Sequence, residues 1–169
     1  MKIFLKITCL AFIVISIAGC GAYSFTGANV DPNTKTFQVN YFQNNARIVE
    51  PGIDRNFTLL LQDLILNQTS LDLVTNNGDL VYEGEITEYY IAPITATSQS
   101  TAAQNRLTIG VNLRYFNTKN EEKDVEKRFS FYFDYPGSTQ LSGTQLEDAI
   151  NTVFERITQD IFNATLADW

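Results

Sequence analysis

The chain has 169 residues, with 12 Lys and Arg against 19 Asp and Glu, two Cys and no His. The absence of histidine removes the usual general base of nucleophilic hydrolases and the commonest ligand of zinc, copper and haem iron. A formal net charge of −7 argues against a nucleic-acid partner, because nucleic-acid binding needs a basic surface. We therefore expect no enzyme, no metal site, no cofactor and no nucleic-acid partner.

Residues 1–19 have the composition of a secretory signal peptide. Two lysines provide positive charge, and the apolar segment 7–17 is too short to span a bilayer as a helix. The segment ends in the pattern of a bacterial lipobox, formed by Ile17, Ala18, Gly19 and Cys20. We predict cleavage after Gly19, acylation of the Cys20 thiol, and attachment to the membrane through acyl chains.

Cleavage before Cys20 would also remove Cys9 and two lysines, so the mature net charge is 10 − 19 = −9. No disulfide can form within a chain that keeps one acylated cysteine. Gly21 stands where an Asp would retain a bacterial lipoprotein in the inner membrane. We therefore predict anchoring in the outer membrane, on its periplasmic side, with residues 20–35 as a tether and residues 36–169 as a single domain.

The first part of the predicted domain contains a strand and a helix. Alternation over residues 36–43 predicts a strand with Phe37, Val39 and Tyr41 on one side. Apolar residues at helical spacing follow Asp54, a candidate N-cap, and predict a helix that runs to about Gln68.

Four further strands are predicted. A short strand at 71–75 and a longer one at 80–91 enclose Asn77-Gly78, a pair typical of a hairpin turn. Residues 93–105 form a long uncharged loop, a kind of segment that is often functional. Strict alternation over 106–116 predicts a strand with apolar residues inward, and the last strand at 125–135 turns its aromatic residues inward.

The final helix carries the clearest local pattern. Ser142 and Gln145 have the spacing of a capping box, and an apolar stripe continues over roughly 24 residues. The resulting order, β-α-β-β-β-β-α, predicts an α+β two-layer sandwich. Two helices would pack on one face of a mostly antiparallel sheet.

The cations are gathered in one region, since six of the ten in the mature chain lie within residues 106–128. Arg106 and Arg114 are predicted to share the outward face of one strand, and Arg128 that of the next. These charges fit either an ordinary surface hairpin or an anion site in which arginines hold phosphate or carboxylate. We interpret Glu83 and Glu85, two apart on an outward face, as solvated acids rather than as a hydrolytic pair.

Three stretches resemble the LptE family of lipopolysaccharide-assembly lipoproteins. They are residues 20–27 (CGAYSFTG), 101–108 (TAAQNRLT) and 160–169 (DIFNATLADW). The resemblance implies a non-enzymatic outer-membrane lipoprotein. Such a protein plugs and helps to assemble LptD, the β-barrel translocon for lipopolysaccharide, and contacts lipopolysaccharide during its delivery to the outer leaflet.

The candidate contacts for lipopolysaccharide rest on charge and position, not on the family's motifs. They are Arg106, Arg114 and Arg128. A second hypothesis fits the same residues: a periplasmic-facing lipoprotein carrier or scaffold that binds an anionic ligand without a barrel partner. Recovery of a large β-barrel protein with the chain would distinguish the two.

Overall fold

The computed structural model describes residue 28, residues 30–94 and residues 104–167. The predicted signal peptide 1–19, the lipobox with Cys20 and much of the tether 20–35 lie outside these residues. Among the described residues, no helix has the run of apolar side chains that crossing a bilayer requires.

Two helices pack on one face of a sheet. The strands are β1 (Thr36–Val39), β2 (Gln43–Asn44), β3 (Asp72–Leu73), β4 (Leu80–Ile94), β5 (Gln104–Asn117) and β6 (Val125–Pro136). The helices are α1 (Ile53–Gln68) and α2 (Thr144–Leu166), and a short 3₁₀ helix covers Glu121–Lys123. The strand order is β3-β1-β4-β5-β6, with β2 beside β4. Because β4, β5 and β6 are antiparallel, the predicted α+β sandwich is confirmed.

The inner face of the sheet and the apolar stripe of α2 form one core. Alternate residues of β5 are fully buried, as their spacing predicts. The buried positions of α2 recur at helical spacing, which places them on one face of the helix. They are Ala149, Ile150, Val153, Phe154, Ile157, Thr158, Ile161, Phe162 and Leu166.

The predicted continuous strand at 36–43 is wrong, because the chain leaves the ladder between Val39 and Gln43. This break changes which side chains are buried. Tyr41 is 54% exposed, whereas Phe42 turns inward and is fully buried. Burial of the Phe42 ring is the physical reason, because it contacts the Phe57 ring of α1 edge to face with centroids 5.1 Å apart.

The predicted hairpin around Asn77-Gly78 is also wrong. Strands β3 and β4 lie on opposite sides of β1, and both run parallel to it. The connection between them therefore passes close to β1. A Cβ atom at Gly78 would lie 2.8 Å from the Gln38 amide nitrogen, so only glycine fits this crossing.

Both helices begin without the predicted side-chain caps. The residue before α1 is Gly52, with φ 82°, and Asp54 lies in the first turn, where its charge favours the helix dipole. The residue before α2 is Gly143, so Ser142 does not form the predicted capping box.

The uncharged loop predicted at 93–105 is too long, because both of its ends belong to strands. Pro93 pairs with Asn105, and Ile94 with Gln104, so these four residues extend the β4–β5 ladder. Beyond Ile86, β4 pairs only with β5 among the described residues, so its other side is an open edge. Pro93 has no backbone N–H to donate, and at this edge its presence costs the sheet no hydrogen bond. Residues 95–103 lie outside the described part of the chain.

Asp79 joins three parts of the fold. Its Oδ2 accepts hydrogen bonds from the Lys35 amide at 2.9 Å and from the Thr36 amide at 3.1 Å, and the Lys119 ammonium lies 2.9 Å from Oδ1. The side chain is only 17% exposed. The Lys35 amide, followed by Lys119, holds the pKa of the Asp79 carboxyl well below its ordinary value of 3.8.

Replacing Asp79 by Asn should therefore lower the free energy of unfolding at neutral pH by about 1–3 kcal/mol, because the amide cannot accept these bonds as an anion does. The folded-state pKa is depressed, so the wild-type contribution is complete above the unfolded value of about 4 and is lost as the pH falls below it. Urea unfolding at pH 7 and pH 3 tests this, and we expect the difference between the variants to narrow at pH 3. Asp63→Asn, at an exposed position of α1, is the control. An equal difference at both pH values would contradict the account.

Candidate functional site

The face of β4, β5 and β6 that is turned away from the helices, called here the outer sheet face, holds the predicted site residues. The register places Arg106 and Arg114 of β5 on this face, opposite Asp134 of β6 and Glu83 of β4, respectively. Arg128 of β6 lies on the same face, opposite Asn112. The predicted outward positions of all three arginines thus match the register.

Arg106 forms a two-pronged ion pair with Asp134. Its Nε lies 2.7 Å from Oδ1 and its Nη2 lies 2.8 Å from Oδ2. The guanidinium carbon also lies 3.5 Å from the centre of the Tyr132 ring, so the plane of the cation is held between a carboxylate and an aromatic face. The Arg106 guanidinium lowers the pKa of the Asp134 carboxyl.

Arg114 binds two carboxylates of β4. Its Nε donates to Glu83 Oε1 at 3.0 Å, and its Nη1 donates to Glu85 Oε2 at 3.1 Å. The arginine side chain remains 36% exposed. The two glutamates are 35% and 22% exposed and therefore serve as partners of a cation rather than as the freely solvated acids that the sequence predicts.

Arg128 pairs with Glu88 across the middle strand. The pair extends from β6 to β4 above Gly110 of β5, where a Cβ atom would lie 3.1 Å from Glu88 Oε2 and 3.4 Å from Arg128 Nε. A bulge makes this pairing geometrically feasible. The register shifts between Ile86 and Glu88, and the extra residue, Thr87, brings Glu88 to the same face as Glu83.

The three arginines do not form one site. Arg106 and Arg114 are eight residues apart on β5, which corresponds to about 27 Å along a strand. Arg128 lies opposite Asn112, diagonal to Arg114, and both arginines line a shallow cleft of about 210 Å³ that also contains Lys127. The structure therefore brings Arg114 and Arg128 together and leaves Arg106 near the far end of the strand.

Sequence reasoning missed two exposed aromatic side chains beside Arg106. Tyr90 and Tyr132 both lie opposite Thr108 in the ladder, one on each side, and each is 44% exposed. The sequence does contain a signal for Tyr132, because it lies between two phenylalanines that are predicted to face inward and must therefore face outward itself. Tyr90 lies after the bulge, so simple alternation from Leu80 assigns it to the wrong face.

A second cleft lies at the opposite face, between the first turns of α1 and α2. It measures about 360 Å³ and is lined by acidic and amide side chains, among them Glu50 and Glu147, together with apolar residues such as Ile53 and Leu146. Asn56 of α1 and Asn151 of α2 close its floor through a hydrogen bond of 2.7 Å. No cation lines it, and the described residues contain no cluster of three acidic or cysteine side chains suited to a metal ion.

One protein-family model that matches the chain covers most of it. The model of the family LptE, described as lipopolysaccharide-assembly, matches residues 34–165, well over half of the chain. This segment contains all of the outer sheet face. No curated protein matches the chain.

Comparison with solved structures gives remote relatives. The hypothetical protein CT253 from Chlamydia trachomatis superposes with a TM-score of 0.50 at 8% identity, over 78% of this chain and 98% of that chain. A minor lipoprotein from Acinetobacter baumannii superposes with a TM-score of 0.49 at 12% identity, over 79% of this chain and 97% of that chain. The likeness to the Chlamydia protein shows the fold alone.

Proposed function

The chain belongs to the LptE family of lipopolysaccharide-assembly proteins, and from this membership we propose that it is an outer-membrane lipoprotein that plugs and helps to assemble a β-barrel translocon of the LptD type. The match over residues 34–165 is the observation that carries the proposal. The family is a non-catalytic component of lipopolysaccharide assembly, so the role of the chain is contact rather than chemistry.

The proposed anchor is the acylated Cys20, on the periplasmic side of the outer membrane, followed by the tether 20–35. The first described residues that contact the domain indicate at which end of it the proposed tether would arrive. Thr34 is buried beside Leu166, the last residue of α2, and the Lys35 amide bonds to Asp79. The proposed tether would therefore reach the domain at the C-terminal end of α2, whereas Ile94 and Gln104, the described residues that flank the β4–β5 connection, lie at the other end of the sheet.

The outer sheet face supports the barrel proposal through its polarity. Three arginines and their carboxylate partners cover this face with side chains that remain partly exposed. The lumen of a large outer-membrane barrel is polar and contains water, so a face of this kind suits it. The uncharged segment that joins β4 to β5 is proposed to extend into such a barrel.

We assign contact with the anionic groups of lipopolysaccharide to Arg106, Arg114 and Arg128. A guanidinium has five N–H donors, and the carboxylate partner of Arg106 uses only two of them. The remaining donors, together with the exposed rings of Tyr90 and Tyr132, provide phosphate and sugar contacts along the same face.

The test is binding of the full chain, purified in detergent, to lipopolysaccharide at increasing salt. Arg106→Ala combined with Arg114→Ala should weaken binding by roughly tenfold or more at low salt, since two charge-assisted contacts are lost. The control combines Arg47→Ala with Arg55→Ala, which removes the same charge from exposed positions away from the outer sheet face.

If the two double variants lose binding to lipopolysaccharide equally, the loss is explained by the change in net charge and not by the positions of Arg106 and Arg114. Unchanged binding of the Arg106/Arg114 variant would make those arginines structural partners of their carboxylates. Wild-type chain that does not bind lipopolysaccharide at any salt would contradict direct contact altogether.

A further inference from the structure

A small cavity lies where Thr34 meets the C-terminal end of α2, and we call it the Thr34 cavity. Thr34 is only 4% exposed. Among the described residues, its Oγ1 is the one buried side-chain oxygen or nitrogen that has no hydrogen-bond partner. A buried hydroxyl destabilises the fold unless another group bonds to it, so a partner is needed at this position.

The Thr34 cavity has the size and the lining of a site for one water molecule. It measures about 40 Å³, and a water molecule takes up about 30 Å³ in the liquid. Polar side chains from two other elements line it: Tyr115 and Asn117 of β5, and Thr165 of α2. A buried water makes about three hydrogen bonds, and these side chains together with Thr34 can supply them.

The hydrogen bonds that the lining already makes leave suitable groups for a water molecule. Asn117 Oδ1 accepts the amides of Lys119 and Asn120 at 2.9 and 3.1 Å, so the Asn117 amino group remains to donate. Thr165 Oγ1 donates to the Ile161 carbonyl at 2.9 Å, so it can only accept from a further partner. A water molecule can accept from the first group and donate to the second.

A neutral ligand suits this cavity better than an ion. Lys119 lines it, but its ammonium lies 2.9 Å from the Asp79 carboxylate, so this charge is already balanced. Lys123 and Asp31 also line the cavity, and these two exposed side chains carry opposite charges. The other polar side chains of the lining are hydroxyls and amides, which bind water without the cost of burying a charge.

We propose that the Thr34 cavity binds one ordered water molecule, which bridges the Thr34 hydroxyl to the side chains of Asn117 and Thr165. The water thereby fastens the segment before β1 to the core. Val30 of the same segment already packs against the core with its apolar side chain. The bound water adds a polar link between the beginning of the domain and the last turn of α2.

The link matters for the reach of the proposed anchor at Cys20, and only this step rests on the proposed function. With residues 30–34 fastened to the domain, ten residues, 20–29, remain between the acylated cysteine and the fold. Ten residues span at most about 35 Å, whereas the whole predicted tether 20–35 would span about 55 Å. The water site would therefore keep the C-terminal end of α2 closer to the membrane.

Thr34→Val tests the water site, because it removes the hydroxyl and keeps nearly the same side-chain shape. If a water bonds to the hydroxyl, the variant loses that bond, and the midpoint of urea unfolding of the full chain in detergent should fall by roughly 0.5 M. Thr58→Val is the matched control. Thr58 is also buried, and its Oγ1 donates to the Asp54 carbonyl at 2.8 Å, so its loss should lower the midpoint as well.

Nuclear magnetic resonance detects the water directly. We expect magnetisation transfer from a bound water to the amide proton of Thr34 in the wild-type chain and in Thr58→Val, and its loss in Thr34→Val. A urea midpoint that stays unchanged or rises in Thr34→Val would overturn the proposal, since removing a hydroxyl without a partner does not destabilise the fold. A wild-type chain without the water signal would overturn it too. Neither result depends on lipopolysaccharide or a barrel, so the proposed function stands or falls separately.

Discussion

Replacing Phe57 by Ala is expected to lower the free energy of unfolding by about 3–5 kcal/mol. The Phe57 ring is fully buried between two other rings, Phe42 on one side and Phe154 of α2 on the other, with centroid distances of 5.1 Å to each. Both contacts are edge to face, a geometry that adds to the stabilisation from burial. Truncation would leave a cavity where α1, α2 and the segment between β1 and β2 meet.

Urea unfolding followed by circular dichroism measures this loss. Leu59→Ala on the same helix is the control, because that side chain is 44% exposed and its removal should change the free energy of unfolding by no more than about 0.5 kcal/mol. Similar losses for the two variants would mean that the three-ring contact does not hold the helices together.

The second large effect is expected at Gly84. Replacing Gly84 by Val should lower the free energy of unfolding by about 3 kcal/mol or more. Gly84 lies on the inner face of β4, and a Cβ atom there would lie 2.7 Å from the Phe42 ring and would overlap the Asn112 carbonyl oxygen. Because the ring is itself held by Phe57, it cannot move aside without disturbing the core.

A double-variant cycle shows whether the ring is the obstacle. Phe42→Leu removes part of the clash, so Gly84→Val combined with Phe42→Leu should cost less than the sum of the two single changes, by about 1 kcal/mol or more. Strictly additive losses in urea unfolding would show that the strain lies elsewhere, for example in the backbone contact with Asn112.

Much of the fold could be predicted because alternation and helical spacing report burial directly. The inward set of β5 and the stripe of α2 are read correctly, since each element has one continuous buried face. The position of β3 and β4 on either side of β1 could not be predicted. Their pairing partners lie more than 30 residues away, and the Asn77-Gly78 pair is equally suited to a crossing.

The candidate site was predictable in part, for the same physical reason. Alternation places Arg106, Arg114 and Arg128 on the outer sheet face, but it does not show what each one meets. Glu88 reaches Arg128 only because Thr87 forms a bulge, and one extra residue reverses the face of everything that follows. The ion pairs of this face therefore depend on an irregularity that residue patterns do not reveal.

The three arginines lie on the open surface of the sheet, and only Arg114 and Arg128 share a shallow cleft. Each cation extends from one strand to a carboxylate on another, so the ion pairs link neighbouring strands across the outer sheet face. A side chain that is already held in this way loses less conformational entropy when it meets an anion or a polar barrel wall. This arrangement suits a protein whose proposed role is to occupy and contact rather than to catalyse.

The most direct test of the proposed function is extraction of the full chain from cell envelopes in mild detergent, followed by purification through a tag and analysis of what accompanies it. We predict a stoichiometric large β-barrel protein, retained through size-exclusion chromatography, together with lipopolysaccharide. Recovery of the chain with lipopolysaccharide but without a barrel would favour a free carrier or scaffold instead. Recovery of the chain with neither would contradict the account.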